Sequence, residues 1–298
     1  MIDRFLEYLR YERNYSVHTV FAYEKDLEQF FGWAKEMGYD INYATVKPEH
    51  VRNWVLWLMN EEKDLPSSVH RKMSSLSSYY RFLYVMNLIP ETYTNPTVGI
   101  VLPKKPKNLP KFFLEKEMDD CLKLWSDSTE FADMRDLLII EVIYQTGLRR
   151  SEVAGLKDSD VNVVQRRLKV LGKGNKERIV PFGDDLAEKI ESYRNKRDQE
   201  IIERADSFFV NEKGQSISVT FIYNVVKKMM GMVSKQSKIS PHVIRHTFAT
   251  AMLNRGADIN VIKELLGHES LATTQMYTHV TFEQLQKEYK KSHPRGGE

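Results

Sequence analysis

SPHVIRHTFAT, residues 240–250, is the stretch from which the rest of the chain can be ordered. Read as a helix, it sets His242, Arg245 and His246 at i, i+3 and i+4 on one face, while Phe248, Met252 and Leu253 can bury the others. An imidazole and a guanidinium spaced this way can reach one phosphate together. A zinc site is the rival reading of two close histidines. It fits poorly, because an arginine lies between them, the chain has a single cysteine and no HExxH spacing occurs. No metal and no cofactor is expected.

Working outward, TGLRRSE (146–152) carries Arg149 and Arg150, GKGNKER (172–178) carries Lys173, LLGHES (265–270) carries His268 and TTQMYTHV (273–280) carries Tyr277. Two arginines can grip the non-bridging oxygens of a phosphodiester through planar, permanently charged forks. A tyrosine nearby can attack phosphorus, and its phenol, with an unperturbed pKa of about 10, must lose its proton on the way. His242 is the candidate base for that proton. Glycines on both sides let Lys173 approach a nucleic-acid backbone closely, where it is the candidate acid for a departing 5′ oxygen. The GxxxxGK[ST] spacing of a nucleotide-binding loop is absent. His268 follows Gly267 and is a candidate donor to a non-bridging oxygen, whereas Arg150 has two candidate partners, a backbone phosphate or an acid such as Glu152.

With these five motifs in this order, and with the tail HPRGGE, the chain resembles the tyrosine recombinases of the phage integrase family, most closely the bacterial Xer recombinases. The resemblance implies a mainly α protein: an N-terminal SAM-like helical bundle that clamps DNA, and a C-terminal α+β catalytic domain with a small antiparallel sheet. It implies as catalytic residues Arg149, Lys173, His242, Arg245, His268 and Tyr277, and gives His246 a supporting place. It also implies two transesterifications through a 3′-phosphotyrosyl intermediate, without metal or ATP. Four protomers on double-stranded DNA are expected, with a paralogous recombinase and a DNA translocase as further candidate partners. Chromosome dimer resolution at a dif-like site is the expected role, since no arm-binding domain precedes Met1. A mobile-element integrase, a type IB topoisomerase and a catalytically silent DNA-binding factor are the alternatives.

Composition agrees with this in outline. At 298 residues two domains are the prior. Net charge is +3, but it is uneven: Met1 to Leu102 holds 11 Lys and Arg against 13 Asp and Glu, and the remainder 33 against 28. The basic excess accompanies the motifs. The charged start MIDRFLEYLRYER is unlike a signal peptide and no apolar run is long enough to span a bilayer, so a cytoplasmic protein with no membrane partner is expected. Cys121 lies among Met118, Leu122, Leu124 and Trp125 and reads as a packed small side chain.

The expected division is 1–102 as a helical DNA-clamping domain, 103–114 as a basic proline-rich linker and 115–298 as the catalytic domain with a C-terminal protomer-docking tail. In the first part, Ile2, Phe5, Leu6 and Leu9 share a helical face, Ser16 caps a second helix ending near Gly38, Thr45 with Pro48 opens a third and a fourth follows Pro66. The fourth carries His70, Arg71 and Lys72, candidate DNA contacts opposite a core face of Val69, Met73, Leu76, Tyr80 and Leu83. In the linker, Lys104, Lys105, Lys107 and Lys111 are candidate phosphate contacts. In the last part, an apolar helix from Met134 to Gln145 turns out through Gly147, and residues 167–170 and 177–180 read as strands around a glycine-rich turn. Leu285 and Tyr289 stand at helical spacing, open to a neighbouring protomer or to their own domain.

Overall fold

In the computed structural model, which describes residues 1–106, 111–172, 176–267 and 282–295, the chain divides into two compact units, Met1–Asn108 and Leu109–Glu298. The division falls inside the proline- and lysine-rich stretch 103–114. No helix among the described residues is long and apolar enough to cross a membrane.

The first unit is helical: α1 (Ile2–Glu7) running into a π-helical turn (Tyr8–Glu12), α2 (Val17–Glu36), α3 (Pro48–Asn60) and α4 (Pro66–Val85). Its core gathers one stripe from each helix, including Phe5, Leu27, Phe30, Trp54, Leu58, Leu76 and Tyr80. Ser16 caps α2, its Oγ accepting from the Thr19 amide at 3.2 Å, a contact worth about 1 kcal/mol. The start of α3 differs from expectation. Lys47 stands at the cap and Pro48 opens the first turn, while Thr45 closes the preceding turn by accepting from the Asn42 amide at 2.9 Å.

Three consecutive residues of a helix fan over about 200°, so His70, Arg71 and Lys72 cannot share one face of α4. Arg71 is exposed and pairs with the buried Asp26, which also accepts from Ser75 Oγ at 2.7 Å. His70 Nε2 lies 3.0 Å from the Pro103 carbonyl oxygen. Lys72 is buried instead, its ammonium 2.6 Å from Asp64. It therefore departs from the polar face on which the sequence placed it, the charge being neutralised inside the unit.

The second unit runs α5 (Glu115–Lys123), α6 (Phe131–Thr146), α7 (Arg150–Ala154), β1 (Val161–Asn162), β2 (Arg167–Leu171), β3 (Glu177–Pro181), α8 (Asp184–Glu200), α9 (Val219–Val233), α10 (Pro241–Asn254), α11 (Ile259–Leu266) and α12 (Phe282–Ser292). Helix α6 is buried on every side from Arg135 to Thr146 and packs against α8, α9 and α10. The three strands form an antiparallel sheet in the order β1-β2-β3. Leu168 pairs with Val180 and Val170 with Arg178, so Arg178 shares the buried face of the sheet with three aliphatic side chains. Cys121 is fully buried and its thiol is pushed up to about 12 by that burial, which keeps it protonated and unreactive.

On α12, Leu285 and Tyr289 are buried in the chain's own second unit. His293, just beyond the helix, is stacked on Tyr289 at 4.9 Å, and Arg295 pairs with Glu141, Asp185 and Asp119, each at 3.2 Å.

Candidate active site

The expected helix is α10, and its inward residues are Val243, Ile244, Thr247, Phe248 and Met252. Leu253 is exposed rather than buried, because it sits one residue, about 100°, beyond the Met252 stripe. The exposed His242 and Arg245, which is itself buried beside that inward stripe, line an open cleft of about 410 Å³, which Leu148, Arg149, Arg150, Ser151, Tyr223, Ser240 and Pro241 complete. Thus Arg149, Arg150, His242 and Arg245, drawn from two motifs, meet at one surface. His246 lies on the same helix and is half-buried.

Arg149 arrives there because α6 ends on Gly147, whose φ of +64° reverses the chain. That glycine is also required by space. A Cβ there would stand 2.6 Å from Phe248 Cδ1 and 2.8 Å from Leu266 Cδ2. The close approach lets the Gly147 carbonyl accept from Arg245 Nη1 at 2.6 Å.

The arginines are held by the end of α11, where the last carbonyls of a helix have no partner within it. The Leu265 carbonyl accepts from Arg178 Nε at 2.9 Å, Leu266 from Arg245 Nη2 at 2.6 Å and Gly267 from Arg149 Nη2 at 2.9 Å. Three consecutive carbonyls therefore each orient a different guanidinium. The negative end of the helix dipole also favours the cations it touches.

A single carboxylate completes the group. Glu152, nearly fully buried, receives Arg149 Nη1 at 2.7 Å on Oε1 and the Arg149 amide at 2.7 Å on Oε2. Arg178 grips the same carboxylate with both nitrogens of its fork, at 2.8 and 2.9 Å, and Arg245 stands 3.9 Å away. Burial pushes the Glu152 carboxyl up, but the hydrogen bonds from Arg178 and Arg149 outweigh it and hold the group below its ordinary range. Three guanidinium charges thus face one carboxylate, leaving a positive excess at the cleft. Glu152 belongs to Arg149 and Arg178; Arg150 is exposed, so of its two candidate partners this acid is not the one engaged.

Burial is the first cause that lowers Arg245, with Arg149 and Arg178 adding to it against Glu152; at about 10 the group is still a cation at neutral pH. His242 is held below the usual histidine value by partial burial and then by Arg245, His246, Lys238 and Arg149. It is therefore neutral at pH 7 and able to accept a proton.

Lys173, His268 and Tyr277 lie outside the described residues, as does Lys107. Of the other linker lysines, Lys104 and Lys105 are exposed, and Lys111 donates to Ser237 Oγ at 2.6 Å. Sequence reasoning missed Glu152 as an organiser, and it missed Arg178 and Tyr223 altogether. For Arg178 a signal exists: it takes an inward register on a strand whose other inward residue is Val180.

Residues 111–284 match the phage integrase family, and residues 2–86 match the phage integrase N-terminal SAM-like domain. The chain is 42% identical over 296 residues to tyrosine recombinase XerC of Listeria innocua, covering 98% of this chain and 97% of that protein. It is 38% identical over 293 residues to the XerC of Staphylococcus aureus, covering 98% and 96%. Among solved structures it is similar to XerA recombinase, at 27% identity and a TM-score of 0.50 over 99% of this chain and 98% of that one. It shares the fold of XerH recombinase bound to palindromic difH substrate, at 19% identity and a TM-score of 0.71 over 96% and 83%.

Proposed function

The chain belongs to the phage integrase family of tyrosine recombinases, and from that premise we propose that it recombines DNA at a specific site through a 3′-phosphotyrosyl intermediate. Arg149 and Arg245 take the non-bridging oxygens of the scissile phosphate and offset the charge that builds there in the transition state. His242, neutral at pH 7, accepts the proton that the phenol of Tyr277 loses as its oxygen bonds to phosphorus. Lys173 protonates the departing 5′ oxygen, and His268 donates to a non-bridging oxygen. A 5′ hydroxyl from a partner duplex then displaces the tyrosine, so each broken phosphoester is replaced and no water is consumed. The reaction as written requires neither metal nor ATP.

The observation that carries this reading is the meeting of Arg149, Arg245 and a neutral His242 at one open cleft, with the arginines oriented from behind by backbone carbonyls. Such a cleft suits a polyanion that approaches from solvent. By likeness to the XerC relatives, the site is a dif-like sequence, the role is resolution of chromosome dimers, and the working form is a tetramer on DNA in the cytoplasm, with a paralogous recombinase as the candidate second protomer and a DNA translocase as a further partner. His70, Arg71, Lys104, Lys105, Lys107, Lys111 and Arg150 are the proposed further contacts to the duplex.

The test is a suicide substrate nicked beside the cleavage point. Wild type accumulates a 3′ protein–DNA adduct, in EDTA as well as in magnesium, and Tyr277→Phe binds the same DNA without forming it. An undiminished adduct in Tyr277→Phe refutes the nucleophile, and loss of the adduct in EDTA refutes metal independence.

A further inference from the structure

Arg178 lies outside the set of residues proposed to touch the phosphate, yet it contacts both the carboxylate and the helix end that hold Arg149. Its side chain is 10% exposed, its Nε donates to the Leu265 carbonyl and its two Nη atoms hold both oxygens of Glu152. It also crowds Gly267, where a Cβ would come within 3.1 Å of Arg178 Nη1. The Gly267 carbonyl is the one that takes Arg149 Nη2. In sequence Arg178 is five residues after Lys173, and it lies on β3.

Both oxygens of Glu152 are shared between Arg149 and Arg178. If Arg178 were absent, Arg149 alone would stand at hydrogen-bonding distance from a buried carboxylate, and its charge would be drawn into neutralising that group. With Arg178 in place, one guanidinium cancels the carboxylate and the other keeps its charge for a phosphate. The fork also fixes the carboxylate against rotation, so Arg149 Nη1 has one place to bind.

Resting on the proposed role of Arg149, we infer that Arg178 is a positioning residue for strand cleavage: it neutralises and orients Glu152 so that the Arg149 guanidinium remains charged and aimed at the scissile phosphate. It touches no reacting atom. Its effect is transmitted through Glu152 and through the end of α11.

The experiment is a double-mutant cycle on the full chain, read as single-turnover cleavage of the nicked substrate at saturating DNA, with affinity measured separately. Arg178→Ala cleaves about 10- to 100-fold slower, the range found when the partner of an active group is removed, while Kd for DNA stays within about 3-fold. Arg178→Lys, which restores the charge but not the fork, recovers part of the rate. In the Arg149→Ala background, where cleavage is already about 100-fold or more reduced, Arg178→Ala adds less than about 3-fold. A merely structural role gives the same factor in both backgrounds, and that additivity overturns the inference while leaving the role of Arg149 intact. If Arg149→Ala cleaves as wild type does, the functional reading fails and this inference with it. Should Arg178→Ala melt below the assay temperature, Arg178→Lys replaces it in the same cycle and is read by the same criterion.

Discussion

Acidification should loosen the C-terminal tail through His293, and the size of the effect follows from its surroundings. The ring is 2% exposed, lies on Tyr289 at 4.9 Å with the planes 9° apart, and meets Phe248 and Tyr144 on other sides. Its Nδ1 accepts from the Arg295 amide at 3.0 Å, which leaves Nε2 to carry the proton toward the Tyr144 carbonyl at 3.2 Å. A second proton has no acceptor, because Nδ1 already faces an N–H. Burial above all, opposed by the Tyr144 carbonyl and assisted by Arg255 and Arg295, brings the group down to about 3. The folded value is thus below the unfolded value of 6.5, so the unfolded chain binds the proton first as pH falls. Stability is complete above about pH 6.5 and is lost as pH descends toward 3. Between pH 7 and pH 5 the loss is about 2 kcal/mol, or roughly 4–8 °C in Tm for a unit of this size. Thermal melts of wild type and His293→Gln at the two pH values isolate it, since glutamine can keep both hydrogen bonds without titrating. Wild type should lose those extra degrees. Parallel losses in the two proteins would refute the buried neutral imidazole.

Gly147→Ala should cost about 2–4 kcal/mol, from left-handed backbone strain and from the Cβ that would press on Phe248 and Leu266. The corresponding fall in Tm is about 5–15 °C, and a melt within a degree of wild type would refute the steric account. Lys173→Ala should be slow on ordinary DNA and largely rescued on a substrate with sulfur at the bridging 5′ position, which leaves as a thiolate with little need of a proton. Arg245→Ala should show no such rescue, and equal responses of the two variants would move the acid elsewhere.

What the sequence made legible was the set of residues whose chemistry is written in local spacing. His242 and Arg245 are three apart on α10, and Arg149 follows a glycine that ends an apolar helix, so type and turn suffice to find them. Glu152 and Arg178 are different. They meet across 26 positions, and the carbonyl that orients Arg149 is 118 positions away, distances over which residue type carries no pairing information. Lys72 follows Arg71 in sequence but not on the helix surface, since about 100° per residue turns it into the bundle beside Asp64. Leu285 and Tyr289 showed an apolar stripe but not its partner. Only the packed chain reveals that Tyr289 reaches Gln145 on α6, with its hydroxyl 3.3 Å from Oε1.

The same contacts explain why arginine, and not lysine, occupies these positions. Arg245 commits Nη1 to the Gly147 carbonyl and Nη2 to the Leu266 carbonyl, and Arg149 commits Nη1 to Glu152 and Nη2 to the Gly267 carbonyl. A guanidinium has five N–H donors in a rigid plane, so two anchoring bonds still leave donors for a ligand. An ammonium has three donors on a flexible stem and would exhaust most of them on the anchors. The donors are oriented before any DNA arrives, at a cost met by the fold of α11 and by Glu152 rather than during the reaction. Preorganised charge of this kind acts most strongly where charge develops in the transition state, which is what a phosphoryl-transfer site requires and a DNA-binding surface alone does not.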